Sequence, residues 1–338
     1  MKVRIAGTGR YVPAYSYDNA FMWDVVGHPK QWTPDRIEQL LGIERRAYAV
    51  PIDRNTGKAE REFDEVEMAV HAARQALEAA GREPKDIDML LYASCTVPDG
   101  DRQHFMRGAL DLHLRLGLPE HAIVNLPDVG CGGALHAIEH GWEAILSGRK
   151  KRVLVVASNC PSQFLDRDLY LDTQAWLSSL IFADGAGAVL LEKSTGNADI
   201  IEAVTFVDPT LPLMRMKLHS NHKKRAYFID AKEVRDSYPV YVNKAFNALR
   251  VKVPSIISSD AFIFHQVNAH VLKETVQRIG LPLARVPIIV DKMGNMAAAA
   301  TLFILDQEIR AGRLGPGALV TICTVGAGAQ FGAIALNL

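Results

Sequence analysis

Apolar residues change their spacing along this chain in a recurrent way. In residues 62–80, Phe63, Val66, Ala69, Val70, Ala73 and Leu77 share one face at helical spacing, and Gly81 closes the segment. Residues 105–116 read as another helix, stopped by Gly117. Leu135, Ile138, Trp142, Ile145 and Leu146 form a third stripe. Gly148 and the cations Arg149, Lys150 and Lys151 suit the negative end of that helix. Further helices are predicted at 233–249, 270–278 and 296–309, and a short one at 33–41 with Thr33 as cap and Pro34 in its first turn. Between the helices lie short, continuous apolar runs at 89–93, 122–126, 153–157, 261–264, 286–290, 318–324 and 331–336. Such runs suit strands covered on both faces, so the pattern predicts an α/β protein. Residues 3–13 read as a strand entering a turn. Gly7 and Gly9 lack the third glycine of a dinucleotide-binding turn.

The pattern is used twice. Asp86-Ile-Asp-Met-Leu-Leu-Tyr92 and Ser259-Asp-Ala-Phe-Ile-Phe264 both lead from a helix into a strand. Asp128-Val-Gly-Cys131 and Asp291-Lys-Met-Gly-Asn295 both turn into an alanine- and glycine-rich helix. Gly185-Ala-Gly-Ala-Val-Leu190 and Gly326-Ala-Gly-Ala-Gln-Phe331 both precede or open a strand. Two similar units follow, residues 1–195 and 196–338, with Cys131 and Asn295 at equivalent places. The length of 338 residues suits two fused units of roughly 150 residues each.

Composition narrows the setting. Lys+Arg and Asp+Glu are equal at 38, so no global charge draws the chain to nucleic acid or a membrane. Cys95, Cys131, Cys160 and Cys323 form no CxxC pair and read as thiols in a reducing compartment rather than as disulfides or a metal site. No secretory apolar segment opens the chain and no run reaches the roughly 18 apolar residues of a membrane span, so a cytoplasmic protein is expected.

Chemistry collects at Asp128-Val-Gly-Cys-Gly-Gly-Ala-Leu-His136. Cys131 sits at a helix start, where aligned N–H groups favour a thiolate. Gly132 and Gly133 leave room beside the sulfur. Alone, such a cysteine is more often a small core residue. His265 and Asn295 also lie where apolar runs end, the place where α/β proteins put their sites.

Six motifs in order carry a resemblance: Ile5-Ala-Gly-Thr-Gly-Arg-Tyr-Val-Pro13, Val129-Gly-Cys-Gly-Gly133, Ala183-Asp-Gly-Ala-Gly-Ala188, His265-Gln-Val-Asn268, Gly294-Asn-Met-Ala-Ala-Ala299 and Gly326-Ala-Gly-Ala-Gln-Phe-Gly332. The chain resembles the thiolase superfamily, and within it the beta-ketoacyl-ACP synthase III group. The resemblance implies a five-layered αβαβα fold made of two pseudo-duplicated halves. It implies a triad of Cys131, His265 and Asn295, an oxyanion hole from the Cys131 and Gly328 N–H groups, and a supporting role for Asn268. Cys131 would carry an acyl group from a thioester. His265 and Asn295 would stabilise the enolate of a decarboxylating malonyl-type extender. Neither a metal nor another cofactor is implied; the partners are coenzyme A or acyl-carrier-protein thioesters and a second copy of the chain. The 153–157 run matches the family's dimer strand, with Phe105 reaching the partner's pocket, and Phe105, Arg107 and Trp32 are expected substrate-pocket residues.

The chain departs from the family in several places. The helix after Trp32 is longer than the family's, which moves Arg36 off the spacing of the family's coenzyme A arginine. Ala269-His270 replaces a carrier-docking arginine, and His104-Phe-Met-Arg107 replaces the usual Phe-Pro-Ser. These changes favour specialised metabolism. The basic run from Lys217 to Arg225 offers a docking face for an acidic carrier, or a solvated loop. A same-fold acyltransferase, moving the acyl group from Cys131 to a hydroxyl or amine, is the alternative. Head-to-head condensation of two acyl thioesters would want an additional carboxylate base near the sulfur, for which Asp99 and Asp101 are the candidates.

Overall fold

Two sheets lie face to face with helices between and outside them. In this computed structural model the described residues are 2–30, 32–96, 107–127, 130–172, 176–210, 214–219 and 224–338. In chain order the strands are β1 (Lys2–Tyr11), β2 (Tyr15–Asp18), β3 (Arg45–Tyr48), β4 (Met89–Ser94), β5 (Ile123–Asn125), β6 (Arg152–Asn159), β7 (Gly185–Ser194), β8 (Asp199–Val207), β9 (Met214–His219), β10 (Lys224–Ile229), β11 (Ala261–Phe264), β12 (Leu319–Val325) and β13 (Gln330–Asn337). One sheet runs β1-β7-β6-β4-β5 and the other β11-β12-β13-β8. The order β1-β7-β6-β4 is repeated by β8-β13-β12-β11. In each, two antiparallel pairings are followed by a parallel one. The predicted duplication is thus present in the strand order. β2 with β3, and β9 with β10, make separate two-stranded sheets.

The middle layer is the Gly133–Leu146 and Ala300–Arg310 helices. Both are covered on two sides by sheet, which is why they are apolar around much of their circumference. Leu135 and Ile138 from the first, with Leu302, Phe303 and Ile304 from the second, join one core with Val155 and Ile322. The Glu65–Ala79 helix covers the outer face of the first sheet, and the Ala231–Lys252 and Ala269–Ile279 helices cover that of the second. Gly141 is required by this packing. A Cβ there would come within 2.9 Å of Leu191 and 3.0 Å of Val153.

Two expectations are corrected here. Residues 286–290 form no strand, although β11 leaves the fifth place of its sheet open to one. Pro287 has no N–H to give a ladder. The Gln266 side chain instead accepts from the N–H groups of Ile289 (2.9 Å) and Val290 (3.0 Å) and donates to the Pro287 carbonyl (2.6 Å). The 153–157 run cannot be a dimer strand either. It lies in β6, paired on one edge with β4 and on the other with β7, so neither edge is open. The unpaired edges of that sheet belong to β1 and β5.

Candidate active site

Three loops converge on one apolar pocket. Cys131, His265, Asn268 and Asn295 all line it, with Phe182, Gly326 and Ala327 among their neighbours. Cys131 lies in the Gly130–Gly132 3-10 turn that feeds the Gly133–Leu146 helix. Gly130 takes a φ of +59°, which glycine adopts without Cβ strain. Gly133 must be small because a Cβ would come within 2.8 Å of Ala93 on β4.

His265 continues β11 by one residue, its N–H donating to the Cys323 carbonyl at 2.8 Å. The Tyr238 hydroxyl donates to the His265 carbonyl. The His265 imidazole is near enough to Cys131 to favour its thiolate. Its Nδ1 is buried with no hydrogen-bond partner among the described residues, which leaves Nε2 as the nitrogen available to the pocket. Asn268 caps the Ala269–Ile279 helix, accepting from the Val271 N–H at 2.9 Å. Its oxygen therefore positions that helix, and its amide remains on the pocket wall.

Asn295 is locked from both sides. Its N–H donates to Ile181 and its carbonyl accepts from Ala183, each at 2.9 Å. Its Oδ1 accepts from the Ala297 N–H at 2.8 Å, so the other side of the amide carries the NH₂ donors. Ala297 has a φ of +47°, a left-handed conformation uncommon for a residue with a Cβ. Strain of this kind persists only where its surroundings hold it.

The thiol of Cys131 is pushed well below its ordinary value. A donated Cys95 S–H contributes most and His265 adds to it, while burial opposes both. Cys95 is pushed the other way by its bond to Cys131 and by burial, so the proton of the pair resides on Cys95. Cys131 faces His265 and a helix start, whereas Cys95 is next to the buried Glu65.

Gly328, expected in the oxyanion hole, is exposed at the tip of its turn with a φ of +126° and does not line the pocket. The loop presents Gly326 and Ala327 instead. The Gly326 N–H is engaged by the Gln330 carbonyl at 2.6 Å, leaving Ala327 as the loop's candidate donor. Trp32 packs edge-on against Trp176, 5.1 Å between ring centres; it joins the apolar cluster of Leu41 and Ile181, which line the pocket, but does not line the pocket itself. Phe105, Asp99 and Asp101 lie outside the described residues. Of Arg107, only the backbone at the start of the Arg107–Leu116 helix is described. Of the basic run, residues 217–219 fall on β9 and residues 224–225 on β10; their side chains, and residues 220–223 altogether, are likewise outside the description.

Sequence reasoning missed Cys95, Asn159 and Ala327. Cys95 and Asn159 stand at the C-terminal ends of β4 and β6, and that position was the available signal.

This fold, with a cysteine, a histidine and an asparagine converging on one pocket, is of the thiolase type. Residues 128–209 match the model for 3-oxoacyl-[acyl-carrier-protein (ACP)] synthase III, and residues 256–338 match that for its C-terminal part. Among curated relatives, the beta-ketoacyl-[acyl-carrier-protein] synthase III of Staphylococcus saprophyticus is 27% identical, covering 100% of this chain and 99% of its own. That of Coxiella burnetii is 28% identical over 99% of both. The priming beta-ketosynthase of the R1128 polyketide pathway superposes with a TM-score of 0.83 at 26% identity, covering 99% of this chain and 96% of its own. Xanthomonas campestris OleA shares the fold at a TM-score of 0.87 and 18% identity, covering 100% and 99%. The chain belongs to the beta-ketoacyl-ACP synthase III-like group of the thiolase superfamily and is an enzyme of the ketosynthase III type.

Proposed function

We propose that the protein performs decarboxylative Claisen condensation between an acyl thioester and a malonyl-type thioester, in polyketide or fatty-acid-derived metabolism. The observation that carries this reading is the meeting of Cys131, His265 and Asn295 in one apolar pocket. In loading, the Cys131 thiolate attacks the donor carbonyl and the donor's thiolate leaves, so the acyl group becomes a Cys131 thioester. The oxyanion is held by the Cys131 and Ala327 N–H groups. In condensation, the bond between the malonyl carboxylate and Cα breaks and carbon dioxide leaves. The electron pair becomes an enolate whose oxygen accepts from His265 Nε2 and Asn295 Nδ2. Cα then attacks the acyl carbonyl, and Cys131 leaves as thiolate. A low-dielectric pocket strengthens each of these donations.

Two supports favour condensation over acyl transfer to a hydroxyl or amine. Asn295 is held so that its NH₂ is available, and a transferase needs a base but no second enolate donor. Donors are coenzyme A or acyl-carrier-protein thioesters. A homodimer is part of this reading, formed at the open β5 edge, where Ile123 is 51% exposed with Leu110 (48%) and Leu114 (76%) on the Arg107–Leu116 helix. No helix of the described residues is long and apolar enough to cross a membrane.

The deciding experiment measures labelled carbon dioxide released from carboxyl-labelled malonyl and methylmalonyl thioesters on both carriers. Release that depends on His265 and Asn295 is expected. Protein that loads an acyl group on Cys131 but releases no carbon dioxide would overturn the condensation reading and leave acyl transfer.

A further inference from the structure

Four cysteines are present, and one besides the nucleophile is built into the site. The Cys95 and Cys131 sulfurs are 3.9 Å apart, with Cys95 as donor. A thiol rotates freely about its Cα–Cβ bond, so its position needs explaining. The Cys95 N–H donates to Asn159 Oδ1 at 2.8 Å, and Asn159 Nδ2 donates to the Met296 carbonyl at 2.9 Å. The Ala298 N–H is directed at the Cys95 sulfur. That amide follows directly on left-handed Ala297, whose own N–H is held by Asn295. The strained turn that orients Asn295 therefore also fixes the thiol facing Cys131.

We propose that Cys95 is a further catalytic residue of the acyl-loading site, its S–H donating to the Cys131 thiolate while Asn159 and the Ala298 N–H hold it in place. The assignment rests on Cys131 being the nucleophile. In the free enzyme the donation stabilises the attacking thiolate. In the acyl-enzyme the sulfur is neutral and the donation weakens. When the condensation product departs, the same S–H meets the returning negative charge. A donor to an ionised acceptor is worth more than one to a neutral acceptor, so Cys95 assists the two steps in which charge is on sulfur. The titratable groups around the pair are His265 on the Cys131 side and Glu65 behind Cys95. Glu65 holds its proton to about pH 7 because it is buried, so it does not oppose the thiolate below that pH.

The test is the pH dependence of iodoacetamide alkylation at Cys131, followed by peptide mapping. Wild type is compared with Cys95→Ala, Cys95→Ser and Cys95→Val, and thermal melts check that each is folded. Cys95→Val removes the donor while filling its space, so a cavity in Cys95→Ala does not decide the outcome. Both apolar variants should move the midpoint up by roughly one pH unit, about a tenfold slower alkylation below the midpoint. Cys95→Ser should recover most of the shift, because a hydroxyl still donates. An unshifted midpoint in the Ala and Val variants, or a Ser variant shifted as far as Val, overturns the inference. Wild type that alkylates elsewhere before Cys131 removes the nucleophile itself, a distinct result that sinks the proposed function as well.

Discussion

The two halves place the same structural device at the same point, a turn opening an apolar middle helix, and use it differently. In the first half the turn carries Cys131, and in the second it carries Asn295. The cysteine's environment favours a thiolate: a neighbouring thiol, His265 and the N–H groups of a helix start lower the cost of a negative sulfur. The asparagine is useful through its orientation. Both of its backbone groups and its Oδ1 are committed, so the amide has one way to point. A duplicated fold thus supplies two facing positions. The chemistry of each depends on whether its neighbours adjust a charge or fix a direction.

Breaking the first half should have the largest effect. Cys131→Ala should reduce acyl loading by on the order of 10³–10⁶-fold, as loss of a nucleophile does elsewhere. Malonyl decarboxylation should persist in part, because its donors belong to the other half. Intact-protein mass after incubation with acyl thioesters reads the first, and labelled carbon dioxide the second. Breaking the second half should do the reverse. Asn295→Ala or His265→Ala should keep loading and lose decarboxylation by about 10²–10³-fold for each donor removed. Equal loss of both half-reactions in each variant would erase the distinction between the halves.

The first half should also show its charge sensitivity in stability. Glu65 lies at the start of the Glu65–Ala79 helix and accepts from Tyr92 and Ser94 at 2.9 and 2.6 Å. Burial raises its pKa from 4.5 to about 7, despite hydrogen bonds that oppose the shift. The native carboxyl keeps its proton where the unfolded chain has already released it. Stability from this group is therefore highest at low pH, falls as pH rises between those two values, and is level above them. The total difference is roughly 3 kcal/mol. Denaturant unfolding of wild type and Glu65→Gln across that window should show the fall in wild type and not in the variant, whose other titrating groups are the same. The smallest effect belongs to the second half. Ala297→Gly should leave the fold intact and add up to about 1 kcal/mol by relieving the left-handed strain. A loss of more than that on unfolding would show that the Ala297 methyl matters more than its backbone.

Much of the site was legible in the sequence because its members are chemically unusual residues where apolar runs end. Cys131, His265, Asn295 and Asn268 each combine a reactive or amide side chain with a turn or cap, and the structure brings all four to one pocket. The duplicated strand order was legible for a similar reason, since the periodicity of each half survives although few residues are shared. The errors came where a local pattern was satisfied in an unexpected way. Residues 286–290 are apolar enough for a strand, but the Gln266 side chain takes up the polar groups that a ladder would use. The resemblance put the Gly328 N–H in the oxyanion hole, yet Gly328 stands exposed at the turn's tip with a φ of +126° and does not line the pocket.

Apolar spacing by itself determined the α/β layers and their duplication, and residue chemistry singled out Cys131 as the candidate nucleophile. These depend on contacts a few residues apart and on side-chain chemistry that does not change with context. Tertiary structure alone decided that Cys95 faces Cys131, that Asn159 reaches the Met296 turn and that β6 is interior while β5 is open. Those relations join residues 36 and 137 positions apart, or depend on which strand is neighbour to which. A hydrogen bond is decided within tenths of an ångström, and only the packed layers bring such distant groups to that range.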